Sequence, residues 1–160
     1  MGTNTDAIII GAGPAGLVAA KILAEQDIDF LLLMKEENPC QDKTCGGFIP
    51  SRCLDEFGIK IDNDYREINA LRMKFPGMDI IRVNFEESVG VNTTRGELGN
   101  TMLQMVPQYQ NILRKNARVS KITNEKDHVK LSVQSDEGKE ILTSKIVIDA
   151  SGSNLSLIHI

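Results

Sequence analysis

Three features that would each place a protein in a particular class are missing from the sequence. No run of residues approaches the roughly 18 apolar residues of a membrane-spanning helix. The first residues, MGTNTDAIII, lack the basic start and the small-residue cleavage site of a secretory signal. Lysine and arginine are scattered without a basic block, and the net charge is -4, so nucleic acid is not expected as a partner. We therefore expect a cytoplasmic protein.

Cysteine is scarce, and its three residues, Cys40, Cys45 and Cys53, all lie in one short segment. An odd number without a secretion signal argues against a disulfide framework. The spacings match no zinc pattern, and neither His128 nor His159 lies near the cysteines in sequence to complete a tetrahedral set of ligands. We therefore expect no metal site.

What the sequence does contain is a hydrophobic fraction of 41% in 160 residues, which is enough to bury the core of one domain. Residues 6–10, DAIII, form a short apolar run that stops at a glycine, as a strand buried on both faces of a parallel sheet does. A mostly apolar helix follows in GAGPAGLVAAKILAEQ, and IDFLLLM has the pattern of a second buried strand. This order predicts a βαβ unit with a right-handed crossover.

The segment GAGPAG, residues 11–16, joins the first strand to the helix and fits the pattern G-x-G-x-x-G. In this context the pattern is typical of a dinucleotide-binding site. Gly11 permits a tight turn, Gly13 lets a pyrophosphate approach the backbone, and Gly16 lets helix and strand pack closely. The anion would lie at the helix N-terminus, where free N–H groups and the helix dipole favour it. The alternative is a glycine turn without a ligand.

Dinucleotide sites usually carry an acid about 20 residues further on, at the end of the second strand, that hydrogen-bonds the adenosine ribose. Met34 stands at that position here, followed by Lys35, Glu36 and Glu37. A thioether cannot bind two ribose hydroxyls as a carboxylate would. Either Glu36 takes this role after a small change of register, or backbone groups and water hold the ribose. Of the two alternatives we favour Glu36.

Beyond the second strand the sequence predicts a long loop and a short helix. Residues 35–51 are rich in glycine, proline, cysteine and charge, as a long functional loop is. The segment SRCLDEFG then predicts a helix that is capped by Ser51 and ended by Gly58.

The rest of the chain is mainly β in pattern. INALRMKF and DIIRVNF flank PGM with the alternation of a hairpin, inserted at about residues 66–92. RGELGNTMLQM is helical in pattern, and Pro107 either starts a new turn or kinks this helix. ARVSKITNE, HVKLSVQS, KEILTS and KIVIDASG predict strands, the last with the pattern of a buried parallel strand. We therefore expect an α/β fold with an antiparallel β insertion.

Four segments resemble, in order, the flavoprotein family of geranylgeranyl reductases: DAIIIGAGPAGLVAAKILAEQDIDFLLLMK, DKTCGGFIPSRCLDEFG, TTRGELGNTML and KIVIDASGSN. This family lies within the fold group of the aromatic hydroxylases and flavin halogenases, and CGG separates it from most other FAD proteins. The resemblance implies a Rossmann-like FAD-binding unit with a parallel sheet, and an insertion that begins a substrate domain. It implies an oxidoreductase that saturates double bonds of isoprenoid lipids, with electrons from NADPH or a reduced small redox protein. Contact with a membrane surface stays open.

The resemblance also implies contacts with FAD at the two glycine-containing loops. Pro14 and Ala15 would meet the pyrophosphate, while Cys45, Gly46 and Phe48 would lie along the edge of the flavin. A thiol between a flavin and an alkene could shape the pocket or assist proton delivery, which makes Cys45 the candidate catalytic residue. The alternative is that Cys45 only packs in a tight loop.

Two further contacts follow from the resemblance. Arg95, just before a helix, would reach the FAD phosphates as a cation with several donors. Val119 would contact the adenine side through its backbone. The position of the ribose acid falls on Met34, which departs from the family pattern and puts that contact in doubt.

Family members are more than twice as long as this chain. We therefore expect residues 4–154 to be the N-terminal part of an FAD-binding domain, inactive as a fragment. Residues 155–160, LSLIHI, are what the transposase end of a sequencing adapter would encode, so we interpret them as a scar. The alternative is a natural apolar tail.

Two other functions stay open. A flavin monooxygenase or halogenase would share the glycine loop and the DASG turn, although CGG disfavours it. A non-catalytic nucleotide-sensing module would bind NAD reversibly and hold no yellow cofactor.

Overall fold

The computed structural model describes residues 4–40 and 44–152. Part of DKTCGGFIPSRCLDEFG and all of residues 155–160, interpreted above as a scar, therefore lie outside the described residues. In chain order the elements are β1 (Asn4–Ile10), α1 (Pro14–Glu25), β2 (Phe30–Leu33), β3 (Phe48–Pro50), α2 (Ser51–Phe57), β4 (Tyr65–Ile68), β5 (Ala70–Met73), β6 (Ile81–Asn84), β7 (Gly90–Thr93), α3 (Arg95–Gln104), α4 (Tyr109–Ile112), β8 (Leu113–Arg114), β9 (Arg118–Asn124), β10 (Val129–Ser135) and β11 (Gly138–Asp149).

The largest sheet has the strand order β8-β2-β1-β11-β10-β9. β1 pairs in parallel with β2 on one side and with β11 on the other, and β2 pairs in parallel with β8. β9, β10 and the first half of β11 form an antiparallel meander. The predicted βαβ unit is confirmed, because α1 connects two parallel neighbours, and the predicted α/β class is confirmed with it.

β11 joins the parallel and antiparallel parts of this sheet. Residues 138–144 are antiparallel to β10, and residues 143–149 are parallel to β1. The sequence predicted two separate segments here, but they form one strand of 12 residues, since no glycine or proline interrupts it after Gly138. The expected burial on both faces is wrong for part of this strand. Ile146 is 61% exposed, because α1 packs over β1 and β2.

The core lies on both faces of β1 and β2. Successive side chains of a strand point to opposite faces. On one face, the strand residues pack with α1 and α3. This cluster contains Ala7, Ile9, Phe30 and Leu32 of the strands, Leu17 and Ala20 of α1, and Leu98 and Met102 of α3. The other set packs with residues of the meander, and its members are Ile8, Ile10, Leu31, Leu33, Val119, Leu131, Val133 and Leu142. Each fully buried aliphatic side chain contributes about 1.5–3 kcal/mol, so these two clusters fix the sheet that carries the glycine loop.

A small antiparallel sheet has the order β3-β7-β4. The sequence predicted a long loop over residues 35–51, and β3 shows that this prediction was wrong for residues 48–50. The strand forms because β7 brings Gly90 opposite Pro50. A side chain at Gly90 would overlap the carbonyl oxygen of Ile49, so glycine lets the two backbones approach closely.

Two further predictions concern the short helix α2 and the end of α3. The N-cap of α2 is Pro50 without a side-chain cap bond, so the predicted cap at Ser51 is wrong. The hydroxyl of Ser51 donates instead to the carbonyl of Ser88 at 3.0 Å, which holds the helix against the loop before β7. Gly58 ends α2 in the left-handed region with φ 63°, as predicted. Pro107 follows α3 and begins a new turn.

β5 and β6 form the predicted hairpin, with Gly77 in its turn at φ 74°. Leu71 pairs with Val83 and Met73 with Ile81, so these four side chains share one face. Each of them is between 39% and 42% exposed. The hairpin therefore presents an uncovered apolar face.

Candidate functional site

The glycine loop leads directly into the N-terminus of α1. Gly13 is the N-cap without a side-chain cap bond, and Pro14 is the first helical residue. Proline has no N–H, while the N–H groups of Ala15 and Gly16 belong to the first turn, where the helix supplies no acceptor. These donors and the positive end of the helix dipole are suited to an anion.

The three glycines of the loop have different surroundings. Gly11 has φ 103°, and a side chain there would begin 2.6 Å from the carbonyl oxygen of Ala150. A side chain at Gly16 would overlap the carbonyl oxygen of Gly11. A side chain at Gly13 would meet nothing within 4 Å. Packing of the chain itself thus requires the first and third glycines, whereas the second one borders open space.

The end of β11 lies beside this loop and brings two polar side chains that were not among the predicted site residues. The N–H of Ala150 donates to the carbonyl of Ile10 at 2.9 Å, and the N–H of Ser151 donates to Asp149 Oδ1 at 2.9 Å. Asp149 Oδ2 and Ser151 Oγ are buried without a hydrogen-bond partner in the described part of the chain. Buried polar atoms of this kind need an explanation, such as a ligand. The signal in the sequence was DASG directly after an apolar strand.

The CGG loop is held against β7. The side-chain amide of Asn92 donates to the carbonyl of Gly46 at 2.6 Å, and the N–H of Thr93 donates to the carbonyl of Gly47 at 3.0 Å. The N–H of Gly47 also donates to Cys45 Sγ at 3.4 Å. Asn92, which was not among the predicted site residues, thus fixes the loop while Cys45 stays exposed as a free thiol.

β7 connects the CGG loop to Arg95. Thr94 caps α3 by accepting a hydrogen bond from the N–H of Glu97 at 3.1 Å, and Arg95 is the first helical residue. Arg95 Nε is buried and has no hydrogen-bond partner among residues 4–40 and 44–152. Phe48 pairs with Asn92 across β3 and β7 and is 46% exposed. Cys45, Phe48 and Arg95 are therefore carried by adjoining parts of one small sheet and its following helix.

Met34 does not offer its side chain to a ligand. The side chain is 1% exposed and belongs to the core cluster that includes Leu32. Its N–H donates to the carbonyl of Arg114 at 2.9 Å, and its carbonyl accepts from the N–H of Ala117 at 2.8 Å. Met34 therefore ties the end of β2 to the chain that enters β9.

The acids after Met34 lie at the surface. Glu36 is half-buried and pairs with Lys35 at 3.2 Å, while Glu37 pairs with Lys115 at 2.8 Å. Val119 lies two residues after Ala117, in β9, and its side chain is buried in the second core cluster. Only its backbone is left for a ligand contact.

The unpartnered atoms of Arg95, Asp149 and Ser151 suit the phosphates and the hydroxyls of a dinucleotide. A guanidinium and the N–H groups of a helix N-terminus bind phosphate oxygens. A carboxylate accepts hydrogen bonds from hydroxyls, and a serine hydroxyl both donates and accepts them. Arg95, Asp149 and Ser151 thus fit FAD, whose pyrophosphate is anionic and whose sugar-derived chains carry hydroxyls.

Within the ranges that the structure describes, no group of three or more His, Cys, Asp or Glu residues could hold a metal ion. In the same ranges, none of the helices combines the length and the apolar character needed to cross a membrane. A cleft of about 520 Å³ between α3 and the segment after α2 is lined mainly by polar groups, among them Asn63, Asn100 and Gln104, and contains none of the loop residues above.

Similar sequences come from reductases of isoprenoid compounds. A digeranylgeranylglycerophospholipid reductase of Methanosarcina acetivorans is 29% identical over 153 residues, which are 92% of this chain and 37% of that protein. A chloroplastic geranylgeranyl diphosphate reductase of Nicotiana tabacum is 35% identical over 75 residues, 47% of this chain and 16% of that protein. The chain thus spans well under half the length of these relatives. The predicted resemblance to geranylgeranyl reductases is confirmed.

Similar structures share the fold at low sequence identity. A geranylgeranyl bacteriochlorophyll reductase-like protein of Thermoplasma acidophilum has a TM-score of 0.85 and 20% identity, covering 95% of this chain and 40% of that one. A p-nitrophenol 4-monooxygenase of Pseudomonas putida has a TM-score of 0.79 and 19% identity, covering 95% of this chain and 42% of that one. The family model described as pyridine nucleotide-disulphide oxidoreductase matches residues 5–160. The chain therefore belongs to the pyridine nucleotide-disulphide oxidoreductase family.

Proposed function

We propose that the protein is an FAD-dependent oxidoreductase of the geranylgeranyl reductase type, which reduces double bonds of an isoprenoid lipid. The proposal that FAD is the cofactor rests on one observation. Gly11 and Gly16 are packed against the chain itself, whereas Gly13 borders open space at the N-terminus of α1. The similarity to named geranylgeranyl and digeranylgeranyl reductases supports the class of substrate.

The residues that would hold FAD divide by chemistry. The N–H groups of Ala15 and Gly16 would bind the pyrophosphate, and the guanidinium of Arg95 would supply the positive charge. The buried Asp149 Oδ2 and Ser151 Oγ would find partners in hydroxyl groups of the cofactor. Arg95 Nε, Asp149 Oδ2 and Ser151 Oγ are buried side-chain atoms that lack hydrogen-bond partners in the described residues, which supports a polar ligand.

The adenosine end would lie near the end of β2. Glu36 is the acid that we propose for the ribose, because the side chain of Met34 is enclosed in the core. Val119 would contribute its backbone on the adenine side. Both contacts rest on the approach of the chain that enters β9 to the end of β2, where the N–H of Ala117 donates to the carbonyl of Met34.

Reduction of an alkene adds a hydride and a proton, and bound FAD supplies the hydride chemistry. NADPH or a reduced small redox protein would deliver the electrons. Cys45 is the group of this chain that we propose at the reacting end, since its thiol is exposed in a loop that Asn92 holds in place. Its role would be to shape the pocket or to help deliver the proton.

A lipid substrate brings a proposal about the location of the protein. An isoprenoid chain partitions into a bilayer, so the protein would work in the cytoplasm with contact to a membrane surface. Residues 4–154 would form the cofactor-binding part, with the hairpin of β5 and β6 at the start of a substrate region.

The p-nitrophenol 4-monooxygenase with a TM-score of 0.79 favours a second candidate, a flavin monooxygenase. The two activities leave different products, because reduction adds two hydrogen atoms to each double bond and hydroxylation adds one oxygen atom. A nucleotide-sensing module would give neither product and would exchange NAD freely.

The test begins with the absorbance spectrum of the purified protein and a titration with FAD, and continues with mass spectrometry of products. We expect the whole protein, of which residues 4–154 would form the cofactor-binding part, to bind FAD and to add two hydrogen atoms to each double bond of a geranylgeranyl lipid under a reductant. A product that gains oxygen would favour the monooxygenase. Binding of NAD without any binding of FAD would exclude both enzymes and leave the module.

A further inference from the structure

Pro39 and Cys40, here called the Pro39–Cys40 corner, lie directly beneath the glycine loop. Both residues are buried, and Cys40 has φ 58°, in the left-handed region that side chains rarely adopt. Its thiol donates to the carbonyl oxygen of Ala12 with an Sγ to O distance of 3.7 Å. A thiol is a weak donor, and sulfur hydrogen bonds are longer than those of oxygen. The corner thus contacts the backbone of the loop itself.

The hydrogen bond to Ala12 has a consequence for the next residue. The peptide between Ala12 and Gly13 is planar and trans, so its carbonyl and its N–H point in opposite directions. Ala12 and Cys40 belong to one buried cluster. Because the carbonyl of Ala12 is held towards Cys40, the N–H of Gly13 points away from that cluster. Gly13 is also the loop residue that borders open space.

The helix α3 fixes the corner from the other side. A side chain at Gly99 would begin 2.6 Å from the carbonyl oxygen of Pro39 and 3.0 Å from Cβ of Cys40. The backbone of α3 therefore lies against the corner, about one helical turn after Arg95. A single set of contacts thus connects the helix that carries Arg95 with the carbonyl of Ala12.

We propose that Cys40 is a positioning residue for the cofactor, whose thiol holds the Ala12–Gly13 peptide so that the N–H of Gly13 donates to the pyrophosphate of a dinucleotide. The inference rests on the proposed binding of FAD and adds a residue that the loop pattern does not contain. Gly99 lets α3 support the corner closely enough for this contact.

Two substitutions at Cys40 separate the donor from the packing. Cys40→Ala removes the donor, and we expect the dissociation constant for FAD to rise about 3- to 10-fold, the ratio that corresponds to one hydrogen bond. Cys40→Ser restores a donor and should bind FAD more tightly than the alanine variant. Cys53→Ala is the matched control, since it removes a half-buried thiol from α2, and it should bind as the parent chain does.

A second measurement needs no variant. The chain contains 13 glycines, so NMR spectra of glycine labelled with nitrogen-15 can follow the N–H of Gly13 during a titration with FAD. We expect this resonance to shift towards that of a stronger hydrogen bond, while Gly58 and Gly77, far along the chain in turns, keep theirs.

The outcomes separate this inference from the proposed function. If the parent chain binds no FAD, the proposed function fails and the inference fails with it. If FAD binds but the Gly13 resonance does not move, or if Cys40→Ala binds as the parent does, only the inference is overturned. Equal loss in Cys40→Ala and Cys40→Ser would show that volume matters and the donor does not, which also overturns it.

Discussion

Gly13 borders open space at the N-terminus of α1, where an added side chain would meet nothing within 4 Å. Its φ of -78° is open to any amino acid, so glycine is not required there by the backbone. We expect Gly13→Leu to fold with an unchanged melting temperature and to lose FAD, because the side chain would occupy the space of the pyrophosphate. Thermal unfolding and the flavin content after gel filtration measure the two effects.

Gly16→Ala is the matched control for that change. Its added methyl group would overlap the carbonyl oxygen of Gly11, so we expect a lower melting temperature even without a ligand. Retention of flavin by Gly13→Leu would contradict the assignment of the pyrophosphate to this loop.

Glu36 and Glu37 are neighbouring acids with different partners, which makes them a useful pair. If Glu36 binds the ribose, Glu36→Ala should weaken FAD binding by about 1–3 kcal/mol, because the ribose hydroxyls would lose a charged hydrogen-bond acceptor. Glu37→Ala should leave affinity unchanged, since Glu37 pairs with Lys115. Isothermal titration of each variant decides. Equal affinities of both variants and the parent would mean that backbone groups and water hold the ribose.

At the scale of elements, the hairpin of β5 and β6 contrasts with the meander. Ile81 is 41% exposed on the uncovered face of the hairpin, whereas Leu131 in β10 is fully buried. We expect Ile81→Thr to leave the free energy of unfolding nearly unchanged, and Leu131→Ala to lower it by about 2–5 kcal/mol. Urea denaturation of the two variants tests this. A large loss in Ile81→Thr would mean that the apolar face is covered in solution.

The pairing of β1 with β11 carries an ion pair at its edge. The hydrogen bond and the charge of Asp6 raise the pKa of Lys145 above its ordinary value. A raised pKa contributes stability that is present below the ordinary value and is lost as pH rises through the raised one. We expect the parent chain to exceed Asp6→Asn slightly in denaturation midpoint at pH 8, with the difference shrinking as lysine deprotonates and as salt is added. A difference that persists at high pH would contradict the assignment.

The elements that could be predicted from the sequence are those whose signals are local. The strand of residues 6–10, the glycine loop and α1 follow from a short apolar run, a glycine pattern and helical spacing. β3 could not be predicted, because its three residues form a strand only against β7. The cap at Ser51 was wrong for the same reason, since its hydroxyl finds Ser88, far along the chain.

The candidate site shows the same limit. The glycine loop and the CGG segment could be recognised from their letters. Asn92 meets Gly46 only in the folded sheet. The pairing of Ala150 with Ile10 is what brings Asp149 and Ser151 beside the glycine loop. Cys40 contacts Ala12 across a separation of 28 residues, which no spacing rule indicates.

At the scale of the whole molecule, the unpartnered atoms of Arg95, Asp149 and Ser151 predict that a bound cofactor raises the free energy of unfolding. A ligand that binds only the folded state at about 100 times its dissociation constant adds about 2.7 kcal/mol. For a chain of this size we expect FAD to raise the melting temperature by about 5–10 °C. Differential scanning fluorimetry with FAD, ADP and NAD compares the ligands, and ADP should give part of the shift. No shift with FAD at saturation would contradict the proposed site.

The single strand β11 also sets the order in which the molecule can assemble. β1 and its glycine loop are synthesised long before β11, but one of the two parallel neighbours of β1 is residues 143–149, and the neighbour of Gly11 is Ala150. Pairing across nearly the whole chain is slow, and an unpaired apolar strand is prone to aggregate while it waits. Until residue 150 has emerged, Ile8 and Ile10 have one open strand edge beside them. The nascent chain therefore needs chaperone protection most while the residues between β1 and β11 are being synthesised.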